Sequence, residues 1–213
     1  MIIDAQYFKS KELYIPNSVA QPNIGSASPS ALLQLNEEID SIEHQLLLDM
    51  LGYAQTTELK DQFELIDGEF VWKIGALQKW IDLVDGKDEW RGLRYTIGGK
   101  KVSVIAYYVF FQYLGLDYNQ YTTNGMQISK VENSITHDPS IKQVSVWNRF
   151  IKMYIGDNWN NNVTISTNWN GAYLSYLKND SNELSVYDFL SNNRDVYDIS
   201  YFVTKRPLNY FGI

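Results

Sequence analysis

Apolar residues recur at spacings of three and four in two stretches of this chain and run almost unbroken in a third. In the first stretch Leu32, Leu35, Ile39, Ile42 and Leu46 fall on one face of a helix. Ser28 is a natural N-cap, Pro29 suits the first helical position, and Gly52 suits the stop. In the second, Ile141, Val144, Trp147, Ile151 and Tyr154 share a face. Asp138-Pro139 repeats the cap-then-proline device there, and Gly156 marks the end. The third stretch, residues 102–114, reads Val-Ser-Val-Ile-Ala-Tyr-Tyr-Val-Phe-Phe-Gln-Tyr-Leu and stops at Gly115. A membrane span needs roughly 20 such residues. The run is shorter and has no polar face, which predicts a helix buried on nearly all sides. The two amphipathic stripes offer it partners, so the expected core is a bundle of three main helices.

The segments between carry weaker patterns. Tyr7, Phe8, Leu13 and Tyr14 follow a loose helical period, and residues 15–29 read as loop. From 53 to 100 the texture changes. Gly68, Gly75, Gly86, Gly92, Gly98 and Gly99 punctuate short apolar pieces that hold Trp72, Trp80 and Trp90. This reads as a compact insertion, with Gly98-Gly99 as a tight turn into the apolar helix. Asn124-Gly125 is a turn signal between flanks that can be extended. Residues 157–171 are an Asn-rich loop, with short helices expected at 172–178 and 185–192. From Tyr197 to Ile213 the chain reads as extended, because Pro207 forbids a regular helix. The expected fold is mainly α, with a Gly/Trp-rich insertion, a small β element and an extended C-terminal tail. Residues 1–156 form the helical domain and 157–213 a C-terminal extension.

The 213 residues suit one main domain. An aromatic share of 15% suits either a Tyr-rich core or a surface made for contact. The chain has no cysteine, which excludes a disulfide scaffold, a thiolate zinc site and cysteine catalysis. A net charge of −7 argues against wrapping nucleic acid, which needs a basic footprint. It leaves room for a surface past which DNA slides. Met1-Ile2-Ile3-Asp4-Ala5-Gln6 lacks the basic and apolar regions of a signal peptide, so the expected compartment is the cytoplasm.

No catalytic constellation stands out, and the expectation is a protein that is not an enzyme and holds no cofactor and no metal. His44 and His137 sit on different elements. Gly98-Gly99-Lys100-Lys101 lacks the frame of a phosphate-binding loop. Trp159, Trp169, Tyr173 and Tyr176 could stack on sugars. The alternative reading is therefore a non-catalytic binding module, for glycan or protein, of a phage or bacterial surface. Glycan modules are usually all-β, however, whereas this chain predicts three marked helices.

The order of elements resembles that of tailed-bacteriophage head–tail connector proteins, also called adaptor or neck ring proteins. The likeness is above all to the larger connector-like proteins of phages infecting Bacteroidetes. It rests on the opening Ile2-Ile3-Asp4-Ala5-Gln6-Tyr7-Phe8, the helix Leu32–Gly52 ending Asp49-Met-Leu-Gly52-Tyr, and the insertion ending Trp90-Arg-Gly92-Leu. It continues through Ala106-Tyr107-Tyr108 into Thr122-Thr123-Asn124-Gly125, and through Val131-Glu-Asn133-Ser134 to the Trp147 helix. The tail from 157 onward is longer than in the small connectors. The resemblance implies a structural virion protein, assembled in the host cytoplasm as a ring, typically of twelve copies, beneath the portal. Such a ring joins the DNA-filled head to the tail and lines the channel. Its partners would be itself, the portal and further neck or tail proteins. DNA would pass without specific binding, and no membrane would be involved.

Two sets of residues could carry such contacts. Opposite the first apolar stripe stand Glu37, Asp40 and His44, flanked by Glu38 and Glu43; Glu37, Asp40 and Glu43 form the acidic set, and the Trp147 helix carries Lys142, Arg149 and Lys152. These are two solvated faces, complementary halves of a ring interface, or, for the acidic set, a channel wall that repels phosphate. The second set is Phe202, Leu208, Tyr210, Phe211 and Ile213 in the tail. Each large apolar side chain gains roughly 1.5–3 kcal/mol on burial. The tail is expected either to dock on the portal or a neighbouring subunit, or to fold back on its own domain.

Overall fold

The computed structural model describes residues 1–15, 29–66, 68–118, 120–122, 125–127, 140–156 and 184–208. The fold is mainly α with small β elements. Helix α1 spans Pro29–Lys60, α2 Gln78–Asp85, α3 Val104–Tyr118, α4 Ser140–Tyr154 and α5 Val186–Asn192. Three antiparallel hairpins accompany them: β1 (Phe63–Ile66) with β2 (Glu69–Trp72), β3 (Arg94–Ile97) with β4 (Lys100–Ser103), and β5 (Gln120–Thr122) with β6 (Gly125–Gln127). A short 3-10 turn at Ala5–Lys9 opens the chain, capped by the Asp4 carboxylate, which accepts from Gln6 N.

The buried side of α1 follows its stripe: Leu35, Ile39 and Leu46 are buried. Its helical geometry breaks at Gly52, where φ is 71° and ψ is 175°. Helix then resumes and runs to Lys60, past the stop expected at Gly52. Burial of Thr56 and Leu59 accounts for the resumption. The Thr56 hydroxyl donates to Leu47 O at 3.0 Å and ties the two segments together. Glycine is required at the break, because φ lies in the left-handed region and a Cβ would stand 2.7 Å from the Tyr201 ring.

The insertion resolves into β1–β2, α2 and β3–β4. Gly98 and Gly99 have φ of 55° and 75°, as a two-residue hairpin turn of primed type demands. The expected tight turn is therefore present. Val102 and Ser103 belong to β4, so α3 begins two residues later than its apolar run. Ser103 Oγ accepts from Ile105 N at 3.1 Å and donates to Leu93 O at 2.6 Å, capping the helix. The helix also passes Gly115, for a glycine inside a helix costs only about 1 kcal/mol relative to alanine.

Residues 104–110 of α3 are all buried. The helix packs mainly on α4 and next on α1. Aromatic rings join it to α4: Phe111 lies 4.5 Å from Trp147, and Tyr108 lies 5.1 Å from Phe150. Phe150 in turn stacks on Tyr154 at 5.0 Å. The α4 stripe holds at Val144, Ile151 and Tyr154, which are buried, and at half-buried Trp147. Ile141, predicted on the same face, is 60% exposed. It stands in the first turn, where the described residues give it no cover.

Helix α5 matches the expected 185–192 segment. Ser185 Oγ accepts from Asp188 N at 3.1 Å, and Asp188 Oδ2 accepts from Ser185 N at 3.2 Å. This reciprocal pair is a capping box. The predicted Ser28 cap, the Asp138-Pro139 cap and the helix at 172–178 lie outside the described residues.

Candidate interaction surfaces

The aromatic tail shows where its first half goes. Residues 197–208 form a strap held against α1, α2 and α4. Val203 N donates to Asp49 O at 2.7 Å, and Lys205 Nζ pairs with Asp49 Oδ2 at 2.7 Å. Gln55 Nε2 donates to Asp198 O at 2.7 Å, and Gln55 Oε1 accepts from Asp198 N at 3.2 Å. On α4 the Tyr154 hydroxyl donates to Val203 O, and Trp147 Nε1 to Arg206 O. Asn148 reads Leu208 as a neighbouring strand would: Nδ2 donates to its carbonyl and Oδ1 accepts from its amide, both at 3.0 Å. Buried Tyr197 lies against the Trp80 ring at 5.8 Å and donates its hydroxyl to Lys79 O.

Phe202 stacks on Tyr154 at 4.7 Å and meets Tyr187 edge-on at 5.2 Å. It is half-buried within its own chain, as is Leu208. For these two residues the structure favours folding back over docking elsewhere. The physical reason is the ring stack that Tyr154 offers Phe202, together with the amide partner that Asn148 offers Leu208. Tyr210, Phe211 and Ile213 lie outside the described residues.

The acidic set divides. Glu37, Glu38 and Asp40 are exposed on α1. Glu43 is fully buried, so it belongs to no exposed face. Its carboxylate accepts from Ile2 N at 2.8 and 2.9 Å and from Ile3 N at 3.2 Å, and the Met1 ammonium stands 4.0 Å away. Burial pushes its pKa up to about 7, against the pull of that ammonium and of the two amides. Glu43 thus fastens the N-terminal segment, in which Ile2, Ile3 and Phe8 are buried, onto α1. Asp40 lies 3.5 Å from the Met1 ammonium and 3.9 Å from Lys60 Nζ. Glu37 and Glu38 have no ion-pair partner among the described residues.

The basic set divides as well. Lys142 is exposed with its ammonium 4.6 Å from the centre of the Phe110 ring, and desolvation lowers its pKa. Arg149 and Lys152 instead line a cleft of about 350 Å³ with Glu12, Trp90, Arg91, Tyr95, Lys100 and Tyr107. Four parts of the fold supply it: the segment after the N-terminal turn, the insertion through β4 into α3, the last turns of α4, and Leu184 just before α5. Among the described residues four cations and one carboxylate line it; the carboxylate is engaged, and Arg91 and Lys152 have partners of their own. The Tyr107 hydroxyl bonds Glu12, and its pKa is raised, by burial first and by Glu12 next. The Arg91 guanidinium sits 5.5 Å from the Tyr95 ring centre. No described residue of α1 lines the cleft.

Glu12, Arg91, Lys100 and Tyr107 are not singled out by sequence reasoning. The signal for part of the group was the Lys100-Lys101 pair immediately after the glycine turn. Exposed apolar side chains also occur along β1–β2 and just beyond, on both faces of the hairpin: Leu65, Ile66, Val71, Ile74 and Leu77.

Among the described residues no group of His, Asp and Glu could hold a metal, and no helix is long and apolar enough to cross a membrane. His137 and the aromatics Trp159, Trp169, Tyr173 and Tyr176 lie outside the described residues. No protein-family model, curated protein or solved structure matches the chain.

Proposed function

We propose that this chain is a structural virion protein that forms a homo-oligomeric ring in a phage neck and joins the portal of the DNA-filled head to the tail. The observation that carries the proposal is the order of elements around one enclosed apolar helix. A long amphipathic α1 is followed by a hairpin–helix–hairpin insertion, then by apolar α3, then by amphipathic α4 packed on it. This is the order on which the resemblance to connector proteins rests. In the finer reading α1, α3 and α4 are the three-helix bundle of a connector subunit.

The burial of 104–110 within the chain supports the same reading in a second way. The subunit needs no neighbour to cover residues 104–110 of α3, so its outer surfaces are available for assembly. Those surfaces include the acidic ridge of α1, the basic cleft and the apolar side chains at β1–β2. The ring lines a channel through which DNA passes without specific binding, in keeping with the net charge of −7.

Electron microscopy of the purified chain mixed with its portal tests the proposal. Rings seated coaxially on the portal are expected. Free portal, with the chain dispersed as single copies, would refute it.

A further inference from the structure

We infer that the acidic ridge of one copy, Glu37, Glu38 and Asp40, docks into the basic cleft around Arg149 and Lys100 of the next. The inference rests on the ring reading above and names the contact that closes the ring. Each surface carries charged groups that have no ion-pair partner among the described residues. Glu37 and Glu38 pair with no described residue, whereas Asp40 beside them is already held at 3.5 and 3.9 Å by the Met1 ammonium and Lys60. Arg149 and Lys100 make no ion pair with another described residue. The cleft gathers four cations in a chain whose overall balance is −7, so the concentration runs against the background.

Geometry favours the match. Glu37 and Asp40 are three residues apart on a helix, so their carboxylates leave the same side. Arg149 presents a planar fork suited to a carboxylate. The rings of Trp90, Tyr95 and Tyr107 line the cleft, and a docked copy would exclude water from it. Salt bridges gain strength when water is excluded. The two surfaces differ and share no residue, so their contact is head-to-tail. Repeated head-to-tail contacts give a closed ring or an open filament. Charge complementarity of this kind sets register and partner choice more than raw affinity. A DNA phosphate is a weaker candidate for the cleft, because a polyanion must approach a chain that repels it overall.

The test is sedimentation of the full chain at low salt, alone and with its portal. Glu37→Lys with Asp40→Lys should abolish assembly at concentrations where the wild-type chain is assembled, and so should Arg149→Glu with Lys100→Glu. Each should raise the apparent Kd by roughly tenfold or more. All four substitutions in one chain restore complementarity and should restore assembly. Thermal melts by circular dichroism report whether each variant folds.

A second measurement avoids charge reversal. The chain has no cysteine, so a mixture of a Glu37→Cys chain with an Arg149→Cys chain can form the mixed disulfide only between copies. Mixed dimer in the assembled fraction supports the contact, and its absence there overturns it. Reversal variants that fold and assemble like the wild type overturn the contact and leave the ring standing. So would loss of duplex-DNA binding in Arg149→Glu with assembly intact. A wild-type chain that stays single even with portal refutes the ring, and this inference falls with it.

Discussion

Replacing Glu43 by alanine removes the acceptor on which the first residues of the chain depend. In the folded protein Ile2 N and Ile3 N donate to this carboxylate at 2.8–3.2 Å in a site closed to water. Alanine leaves both amides without a partner. A buried donor left unmade costs about 1–3 kcal/mol, which gives about 2–6 kcal/mol for two. Removing a buried carboxylate also relieves its own desolvation, which offsets part of that sum. The expected net loss is about 2–4 kcal/mol. For a chain of this length roughly 2–4 °C of Tm accompanies each kcal/mol, so the midpoint should fall by about 5–15 °C. The assay is thermal and urea denaturation of both chains, with amide exchange followed at Ile2 and Ile3. Exchange at these two amides should accelerate more than exchange in α3. Stability within about 0.5 kcal/mol of wild type, with both amides still protected, would refute the role given to Glu43.

The remaining predictions concern the same fold. Burial raises the Glu43 pKa from 4.5 to about 7, so between those values the folded chain holds more protons than the unfolded one. Its contribution to stability is therefore greatest below about 4.5 and is lost as pH rises to about 7, and the wild-type minus Glu43→Gln difference in urea midpoint should trace that decline. Gly52→Ala should cost about 1–3 kcal/mol in a urea melt, since φ of 71° with ψ of 175° suits glycine and the new Cβ meets Tyr201. Truncation after Ser200 removes the ring stacked on Tyr154, and the folded domain should lose at least about 1.5–3 kcal/mol by thermal denaturation. Asp49→Ala breaks the pair with Lys205, whose two side chains are only 19% and 14% exposed. Amide exchange should then quicken at Val203 while the centre of α3 stays protected.

Much of the helical frame is legible in the sequence, for a stated reason. A helix that buries one side must repeat apolar residues at three and four, and α1 and α4 do. An apolar run too short for a membrane must be covered, and residues 104–110 of α3 are. The glycine pair at 98–99 is legible because two successive positive φ angles leave little choice of residue. Glu43 is harder. It stands four residues after Ile39 and three before Leu46, so spacing alone puts it on the buried stripe. Its chemistry argues for solvent, and the amides that reconcile the two lie 40 and 41 residues away. The strap is illegible for a similar reason, since Lys205 meets Asp49 across 156 positions. Side chains like Phe202 demand cover, and nothing local says whether it comes from the same chain or another. The cleft draws on residues from 12 to 184, each unremarkable where it stands, and only their convergence gives them meaning.

The central claim is that this chain works as a ring subunit of a phage neck. Its most direct test is the mass of the complex that the purified chain forms with its portal, by light scattering or native mass spectrometry. The account predicts a single closed species with about as many copies of this chain as of the portal subunit. A mixture in which the chain remains at 24.7 kDa at every ratio and salt concentration would contradict it.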